Sequence, residues 1–522
     1  MALTARPITR LALRALTAAD ATCNRLYGWR FNPLYQSGTI VLVLLLILLG
    51  TGLWLIFFYR VGEPYASVAR ITADPWIGNW MRGAHRYASD AAVLATLVHA
   101  FRMFAQGRSW GPRTLAWVTG VVLLALLFVC GWTGYVMVWD TFGEALAREG
   151  ARMLDTLPVL SEPTSRAFAG ERPIPSVFFF IMLFAHVGLP LGMLLGLWLH
   201  VSRLARPALL PPRPLVWTLV FATVALAIVR PIGMAPDVSP FRVPEMVNAD
   251  LFFAFWLPLS RSMNGAAALT GAAVTLLALL AVPVLSRRRG IAAPAPSMVD
   301  ESLCTGCRQC SIDCPFEAIV MLPRTDGRAD EVARVTPDRC VSCGICAGSC
   351  APMGVGPPGR TGRDQLSRAR AFLDRPERQS GEIVAVCCER GCARYGSSLE
   401  ADGAAVYSVD CAGNLHTSVI EMLVRRGEGG VLVLACPPRD CWNREGPRWL
   451  TERVYHDREA ELQARVDRRR VSVAYANASE PRAARQALRE FAAQVAALGG
   501  AVAESAVTIE TVCEPVPAEE ER

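Results

Sequence analysis

Lysine is absent from this sequence of 522 residues, so all 53 basic residues are arginines. Charged residues of any kind are scarce at 19%, whereas hydrophobic residues make up 52%. This composition is too apolar for a wholly soluble protein and too charged for a wholly embedded one. The length has room for about two to four domains. We therefore expect a membrane part joined to a soluble part.

Several motifs are also missing. The sequence has no Rossmann glycine fingerprint, no P-loop and no hydrolytic triad signature. Its arginines flank apolar segments, so they are read as topology signals and no nucleic-acid partner is expected. Residues 1–36 have no long apolar core, which disfavours a cleaved secretory signal and predicts a cytoplasmic tail, with an organelle transit peptide as the alternative.

Six stretches are apolar enough to cross a bilayer, which predicts an all-helical membrane domain over residues 37–286. The stretches are about 39–59, 78–104, 115–138, 176–201, 214–234 and 262–285. An even number of spans places both chain ends on one side. Arginine-rich short connections mark that side as the cytoplasm. The sequence thus predicts a multi-pass protein of the bacterial inner membrane with cytoplasmic N- and C-termini.

Four of the six histidines lie in two of these spans, His85 and His99 in the second, His186 and His200 in the fourth. Each pair is separated by fourteen residues, or about 3.9 helical turns, so its imidazoles share one helix face roughly 21 Å apart. Two parallel helices would place His85 opposite His186 and His99 opposite His200. A polar group in hydrocarbon needs a partner or a task. The pattern predicts two haems, each clamped by one histidine from each helix.

The soluble part begins with two cysteine runs of spacing C-x2-C-x2-C-x3-C, after a linker at 287–299. This spacing is typical of two [4Fe-4S] clusters in an α+β ferredoxin-like domain, expected over 300–360. The fourth cysteine of each run ligates the other cluster. One predicted set is Cys304, Cys307, Cys310 and Cys350, and the other is Cys340, Cys343, Cys346 and Cys314. Two runs of four do not fit a zinc ribbon, which needs two pairs.

Residues 381–500 alternate strand-like apolar runs with helix-like stretches, which predicts a small α/β domain. Six further cysteines lie there: Cys387, Cys388, Cys392, Cys411, Cys436 and Cys441. A zinc or redox-active thiol site is one reading of them. His416 and His456 are expected at the surface. The acidic tail 501–522 is expected to be disordered.

Residues 30–205 resemble the N-terminal four-helix part of cytochrome b and b6. The resemblance rests on RGAHRYAS with His99 and Arg102, TGLWL, GWTGYVMVW and the repeated histidine interval. It implies two b-type haems, contacted by small residues, here Gly52, Gly120, Gly131 and Gly134, with Arg82 and Arg102 on the propionates. Helix-end snorkelling is the alternative for these arginines. The family's Pro-Glu-Trp-Tyr signature is not intact, and no Rieske or c-type haem motif is present.

CCERGCARYG, VDCAGN and ACPPRDCW resemble the iron-sulfur (delta) subunit of methyl-viologen-reducing hydrogenase. The resemblance implies a [2Fe-2S] cluster held by four of the six cysteines, with Cys392, Cys411, Cys436 and Cys441 as the best match. It also implies docking to a hydrogenase or to a heterodisulfide-reductase-like flavoprotein.

These features predict a multidomain respiratory subunit that carries electrons between such a partner and the quinone pool. Glu144 and Glu245 are the outer acids that could serve a quinone. Two alternatives stay open: an electron-carrying anchor without its own quinone site, and potential-driven ferredoxin reduction. A homodimer is also left open.

Overall fold

The computed structural model describes residues 7–157, 163–168, 174–202, 206–238, 250–286, 294–328, 330–376, 381–426 and 429–498. The chain divides into two compact units. The first comprises Met1–Pro294 with the short pieces Pro315–Ala318 and Asp338–Val341. The second comprises Ala295–Cys314, Ile319–Pro337 and Ser342–Arg522.

The first unit is built of helices. They are α1 (Pro7–Phe31), α2 (Ser37–Ile56), α3 (Pro64–Ala73), α4 (Gly78–Ala105), α5 (Thr114–Val138), α6 (Thr141–Leu154), α7 (Ser176–Ser202), α8 (Arg213–Val229), α9 (Leu257–Arg261) and α10 (Gly265–Ser286). Within this unit, α2 packs along α4, and α5 packs along α7. The result is a bundle made of two helix pairs.

Five of these helices, α2, α4, α5, α7 and α10, are long and apolar enough to cross a membrane. The stretch predicted as the fifth of six spans is shorter than expected: α8 has 17 residues and ends at Val229. Arg230 and Pro231 follow at once, and proline has no amide hydrogen to continue a helix. The chain is an integral membrane protein.

The N-terminal residues predicted as a tail form helix α1, which is anchored to α4 by buried polar groups. Arg102 of α4 donates to Asp20 of α1 at 2.6 Å, and its guanidinium lies 4.7 Å from the ring centroid of Tyr35. Asn24 donates to the Tyr35 hydroxyl at 2.8 Å. A buried ion pair needs such further partners, because desolvation of both charges opposes it.

The dicluster domain (residues 294–360) lies mainly in the second unit and is small. Its elements are β1 (Met298–Val299), α11 (Gln309–Ile312), β2 (Ile319–Pro323), β3 (Glu331–Val335), α12 (Ile345–Gly348) and β4 (Val355–Gly356). Strand β1 pairs with β4, and β2 pairs with β3, both antiparallel. β1 lies inside the stretch predicted as linker, so the ordered fold already includes Met298. Residues 287–293 lie outside the described ranges.

The delta-like domain (residues 381–498) is built on a four-stranded parallel sheet of order β6-β5-β7-β8. The strands are β5 (Ile383–Cys388), β6 (Ala404–Val409), β7 (Gly430–Ala435) and β8 (Val471–Tyr475). Helix α13 (Gly362–Leu373) precedes the sheet, and α14 (Gly396–Glu400), α15 (Thr417–Arg425), α16 (Gly446–Tyr455) and α17 (Pro481–Ala497) follow its strands.

The sheet has two hydrophobic cores, one on each face. One contains Phe372, Ile420 and Leu450, which come from α13, α15 and α16. The other contains Leu399, Leu488 and Phe491, which come from α14 and α17. Burial on both faces explains why β7 reads as a continuous apolar run. The predicted multidomain architecture, with a helical membrane part and a small α/β part, is confirmed.

Candidate metal centres

The first centre is the pair His85 and His186, whose ring centroids are 6.3 Å apart. Two nitrogen–metal bonds of about 2 Å, together with half of each ring, account for roughly this separation. His99 and His200 also lie close enough for their charges to interact. The structure thus brings the four histidines together in the two pairs that the sequence predicted. Each pair joins one residue of α4 to one residue of α7.

Glycines of the neighbouring helices lie against each of these rings. A Cβ at Gly38 or Gly52 would lie 3.0 or 3.3 Å from Cε1 of His99 or His85. At Gly120 or Gly134 it would lie 3.2 or 2.9 Å from Cε1 of His200 or His186. Larger residues would therefore crowd the rings, and the residues present fit a flat group between the histidines.

The set of glycines differs from the predicted one in one member. Gly38 belongs to it, whereas a Cβ at Gly131 would overlap the ring of Phe253, at 2.1 Å from Cδ1. Gly38 and Gly52 are fourteen residues apart, as are Gly120 and Gly134. The interval of the histidines is thus repeated in the helices that face them.

Each glycine follows a serine or threonine whose hydroxyl contacts the same histidine. The distances to Nδ1 are 3.3 Å for Ser37 to His99 and 2.8 Å for Thr51 to His85. They are 3.1 Å for Thr119 to His200 and 3.1 Å for Thr133 to His186. A partner at Nδ1 orients the ring and leaves Nε2 as the metal ligand. Sequence reasoning missed these four hydroxyls, although their fourteen-residue interval is visible.

The two predicted propionate partners have other partners in the structure. Arg102 bonds to Asp20, as described above, and Arg82 donates to the carbonyl of Ile232 at 2.7 Å. Their predicted role at a haem therefore stays a prediction. Of the predicted quinone acids, Glu144 pairs with Arg148 at 2.6 Å. Glu245 lies outside the described residues.

The first set of soluble cysteines lines one pocket. Its walls include Cys304, Cys307, Cys310 and Cys350. Burial, with the charges of neighbouring thiols, raises the pKa of the Cys310 thiol. A bound cation would reverse this effect, because thiolates are the ligand form. These four are the predicted set, including the fourth cysteine that comes from the other run.

Three of the four members of the second set lie in the second compact unit. Cys346 and Cys314 both lie close enough for their charges to act on Cys343. Cys340 belongs to the first unit, so its membership rests on the sequence spacing. Among the described residues, no three His, Cys, Asp or Glu side chains are grouped as ligands of a single ion.

The two cysteine loops share one backbone conformation. Gly306 and Arg308 have φ of 74° and 65° in the first loop, and Gly344 and Ser342 have φ of 78° and 55° in the second. Alternation of left-handed and right-handed residues turns successive amide N–H groups to one side. The two loops therefore turn in the same way at equivalent positions.

Cysteines of the delta-like domain lie at the carboxyl ends of β5, β6 and β7, where parallel sheets usually carry their sites. The Cys436 and Cys388 sulfurs are 3.7 Å apart, and Cys441 packs with both. A hydrogen bond from Cys441 lowers the pKa of the Cys411 thiol to about 6, although burial opposes this. The structure thus brings together Cys388, Cys411, Cys436 and Cys441.

Cys392, which the resemblance favoured, does not join this group. Its thiol donates to the Leu434 carbonyl at 3.3 Å, and burial raises its pKa well above the usual value. Cys392 and Cys387 belong to the hydrophobic core on one face of the sheet. Cys388, whose pKa is lowered by the hydrogen bond with Cys436, lies in this group instead, and which four of the six thiols hold a cluster stays a prediction.

The position of His416 differs from the one that the sequence predicted. It was expected at the surface, but it is 2% exposed and its Nε2 lies 3.1 Å from the carbonyl oxygen of Cys350. His416 caps the N-terminus of α15, and nothing in the sequence around it indicated a contact with Cys350. His456 is exposed, as expected.

Comparisons with known proteins match three segments of the chain. Residues 24–207 match the family model for cytochrome b/b6/petB, and residues 303–354 match the 4Fe-4S dicluster domain. Residues 383–499 match the delta subunit of methyl-viologen-reducing hydrogenase. A solved structure described as hyperthermophilic respiratory Complex III is similar at 17% identity, over 48% of this chain and 75% of that one, with a TM-score of 0.39.

The matches identify a membrane electron-transfer protein whose cytochrome b part implies haem and whose dicluster part implies iron–sulfur clusters. More particularly, the chain is a fusion in which a cytochrome b/b6 segment, a 4Fe-4S dicluster segment and a hydrogenase delta-subunit segment follow one another.

Proposed function

We propose that this protein is a respiratory subunit that passes electrons between a cytoplasmic redox complex and the quinone pool. One observation carries the proposal: paired membrane histidines and two groups of converging thiols occur in a single chain. A chain with a delta-subunit segment is suited to a hydrogenase or heterodisulfide-reductase-like partner. The bound haems and clusters would supply one-electron chemistry, while the protein positions them.

The chain's own residues fix the cofactor sites in place. His85 with His186 and His99 with His200 would hold two haems, and the four hydroxyl–imidazole contacts keep Nε2 of each ring free for iron. Two cysteine sets would hold two [4Fe-4S] clusters. Cys388, Cys411, Cys436 and Cys441 would hold the [2Fe-2S] cluster.

Reduction of a quinone also needs a group that delivers protons. Tyr135, next to Gly134 on α5, donates to Asp250 at 2.5 Å, and Arg86 donates to the same carboxylate oxygen at 2.9 Å. Arg86 follows His85 directly in the sequence. Acids within or beside membrane helices are candidates for proton transfer. We propose Asp250 as a described acid that could serve a quinone near the His85–His186 pair.

Reconstitution into liposomes tests this function. A chemical reductant outside the vesicles would reduce the clusters, and optical spectra would follow haem reduction while quinol formation is measured with a lipid-soluble quinone. We expect haem reduction followed by quinol, and much slower quinol formation in Asp250→Asn with normal haem reduction. Thr96→Val on α4, whose hydroxyl donates to the Ala92 carbonyl of the same helix, is the matched control. Reduced haems without any quinol would instead support an electron-carrying anchor.

A further inference from the structure

Four side chains of the delta-like domain reach residues beside cluster ligands in the dicluster domain. They are Asn414, His416, Arg453 and Arg458. All of these contacts lie within the second compact unit. Sequence-based reasoning treated the two domains as separate modules, whereas their polar contacts concentrate around the cysteine loops. We call this set of contacts the seam.

Asn414 bonds to a cysteine loop on each side of the seam. Its amide nitrogen Nδ2 donates to the carbonyl of Gly344 at 2.8 Å, directly after Cys343. Its backbone N–H donates to the carbonyl of Cys411 at 2.9 Å. Gly344 has φ of +78°, and a Cβ there would lie 2.5 Å from Nδ2 of Asn414. Glycine is therefore required for this close approach.

His416 contacts the backbone of a cluster ligand. The backbone N–H of Ser418 donates to its Nδ1 at 3.1 Å, so Nε2 carries the proton and donates to the Cys350 carbonyl. Gln365 of α13 holds the same segment, since it accepts from the His416 N–H at 2.9 Å and donates to the Asn414 carbonyl at 2.9 Å. Asn414 and His416, which follow Cys411 in the sequence, are thus both held by hydrogen bonds to Gln365.

Buried charged side chains also form hydrogen bonds across the seam. Asp313, which precedes Cys314, accepts from Arg458 at 2.7 Å and from the Ser349 hydroxyl at 2.6 Å. Ser349, which precedes Cys350, accepts from Arg453 at 2.8 Å. Asp313 and Arg453 are both fully buried. A buried carboxylate without these donors would be strongly disfavoured, so the seam holds one geometry.

The seam places Cys411 of the delta-like domain near Cys343 of the dicluster domain. Cys411 lies close enough for its charge to act on Cys343. The connection from Cys411 to Cys343 runs through Asn414 by two hydrogen bonds.

We propose that the seam fixes the [2Fe-2S] site directly beside the [4Fe-4S] site of Cys314, Cys340, Cys343 and Cys346, with Asn414 as the positioning residue. This inference rests on the proposed function. With both clusters bound, this placement would let one electron pass from the reduced [2Fe-2S] cluster to that [4Fe-4S] cluster, with no bond broken and no proton moved.

Electron paramagnetic resonance of the purified full-length protein tests this placement. We expect the reduced [2Fe-2S] signal to relax faster and to broaden when the neighbouring cluster becomes reduced. Cys343→Ser should abolish this interaction, whereas Cys307→Ser, in the other set, should leave it intact. The opposite pattern, or no interaction at any potential in the unsubstituted protein, would overturn the proposal. The measurement on the unsubstituted protein needs no variant, so it tests the proposal even if a variant fails to assemble.

Asn414→Ala tests the positioning role. Iron and sulfide content should stay unchanged, while the spin interaction weakens and the rate of cluster-to-cluster electron transfer falls at least several-fold. Arg485→Gln is the control, because it breaks only an exposed ion pair with Asp402. An interaction of unchanged strength in Asn414→Ala would show that Asn414 does not position the clusters. Neither partner nor quinone takes part, so failure here is distinct from failure of the proposed function.

Discussion

Two adjacent cysteines at the end of β5 have different environments. Successive side chains of a strand point to opposite faces of the sheet. Cys387 accordingly packs in the core with Leu432 and Phe491, while Cys388 lies against Cys436 and Cys441 at the carboxyl edge. Residue alternation along one strand thus decides which thiol joins the cysteine group at the carboxyl edge.

This arrangement predicts opposite outcomes for two similar substitutions. Cys388→Ser should remove the [2Fe-2S] paramagnetic signal, because it replaces one of the four converging thiols. Cys392→Ser should keep the signal, because that thiol bonds to the Leu434 carbonyl instead. Iron analysis and resonance spectra of both variants measure the difference. A signal lost in Cys392→Ser and kept in Cys388→Ser would restore the ligand set favoured by the resemblance.

At this scale the sequence could predict most of the side chains that the structure brings together, but not all of their neighbours. The spacing of the first cysteine runs predicted that Cys350 joins Cys304, Cys307 and Cys310, since the motif itself encodes the exchange. The sequence could not choose among Cys387, Cys388 and Cys392. The choice depends on which face of the sheet each residue of β5 faces and on the path of the turn that follows. The burial of His416 depended on contacts with the distant residue Cys350.

Helix pairs are the element that organises the membrane histidines. Helix α4 lies along α2, and α7 lies along α5, so each histidine meets a glycine and a hydroxyl from its partner helix. Because the fourteen-residue interval occurs on all four helices, the His85–His186 pair and the His99–His200 pair have the same neighbours at equivalent positions. The histidine interval was predictable from the helical period alone. The role of Ser37 and Thr51 was not, because it depends on which helices pack together.

Two variants at the His85–His186 pair test this arrangement. His85→Ala should lower the haem content from two to one per chain and leave the haem of His99 and His200. Thr51→Val should keep both haems but raise the midpoint potential of one, because a hydrogen-bond acceptor at Nδ1 makes the imidazole more basic. A change of about 1 kcal/mol corresponds to roughly 40 mV.

Haem extraction and potentiometric titration measure these effects, with Thr96→Val as the control. Two haems per chain in His85→Ala would contradict the pairing of His85 with His186.

At the scale of the whole molecule, sequence reasoning recognised each part but not the attachment of the soluble domains. Local spacing and periodicity define a part, so the helical membrane region and the small α/β domain were both predicted. Contacts such as Arg453 with Ser349 join residues more than a hundred positions apart. No local pattern encodes them, and the soluble domains therefore read as separate.

Removal of residues 381–522 should consequently affect the two kinds of cofactor differently. Both haems should remain, because the histidines and their hydroxyl partners all lie before residue 203. The [4Fe-4S] content should fall well below two clusters per chain. Asp313 would lose Arg458, Ser349 would lose Arg453, and the Cys350 loop would lose His416. Loss of one partner from a buried ion pair alone costs about 3 to 5 kcal/mol.

Haem, iron and acid-labile sulfide assays measure the outcome, with a deletion of residues 501–522 as the control. A shortened protein with two intact [4Fe-4S] clusters would show that the dicluster domain folds and assembles without the seam. In that case the polar contacts of Asn414, His416 and Arg453 would serve the spacing between clusters and contribute little to their stability. Loss of the haems together with the clusters would instead contradict the independence of the membrane unit's histidine sites.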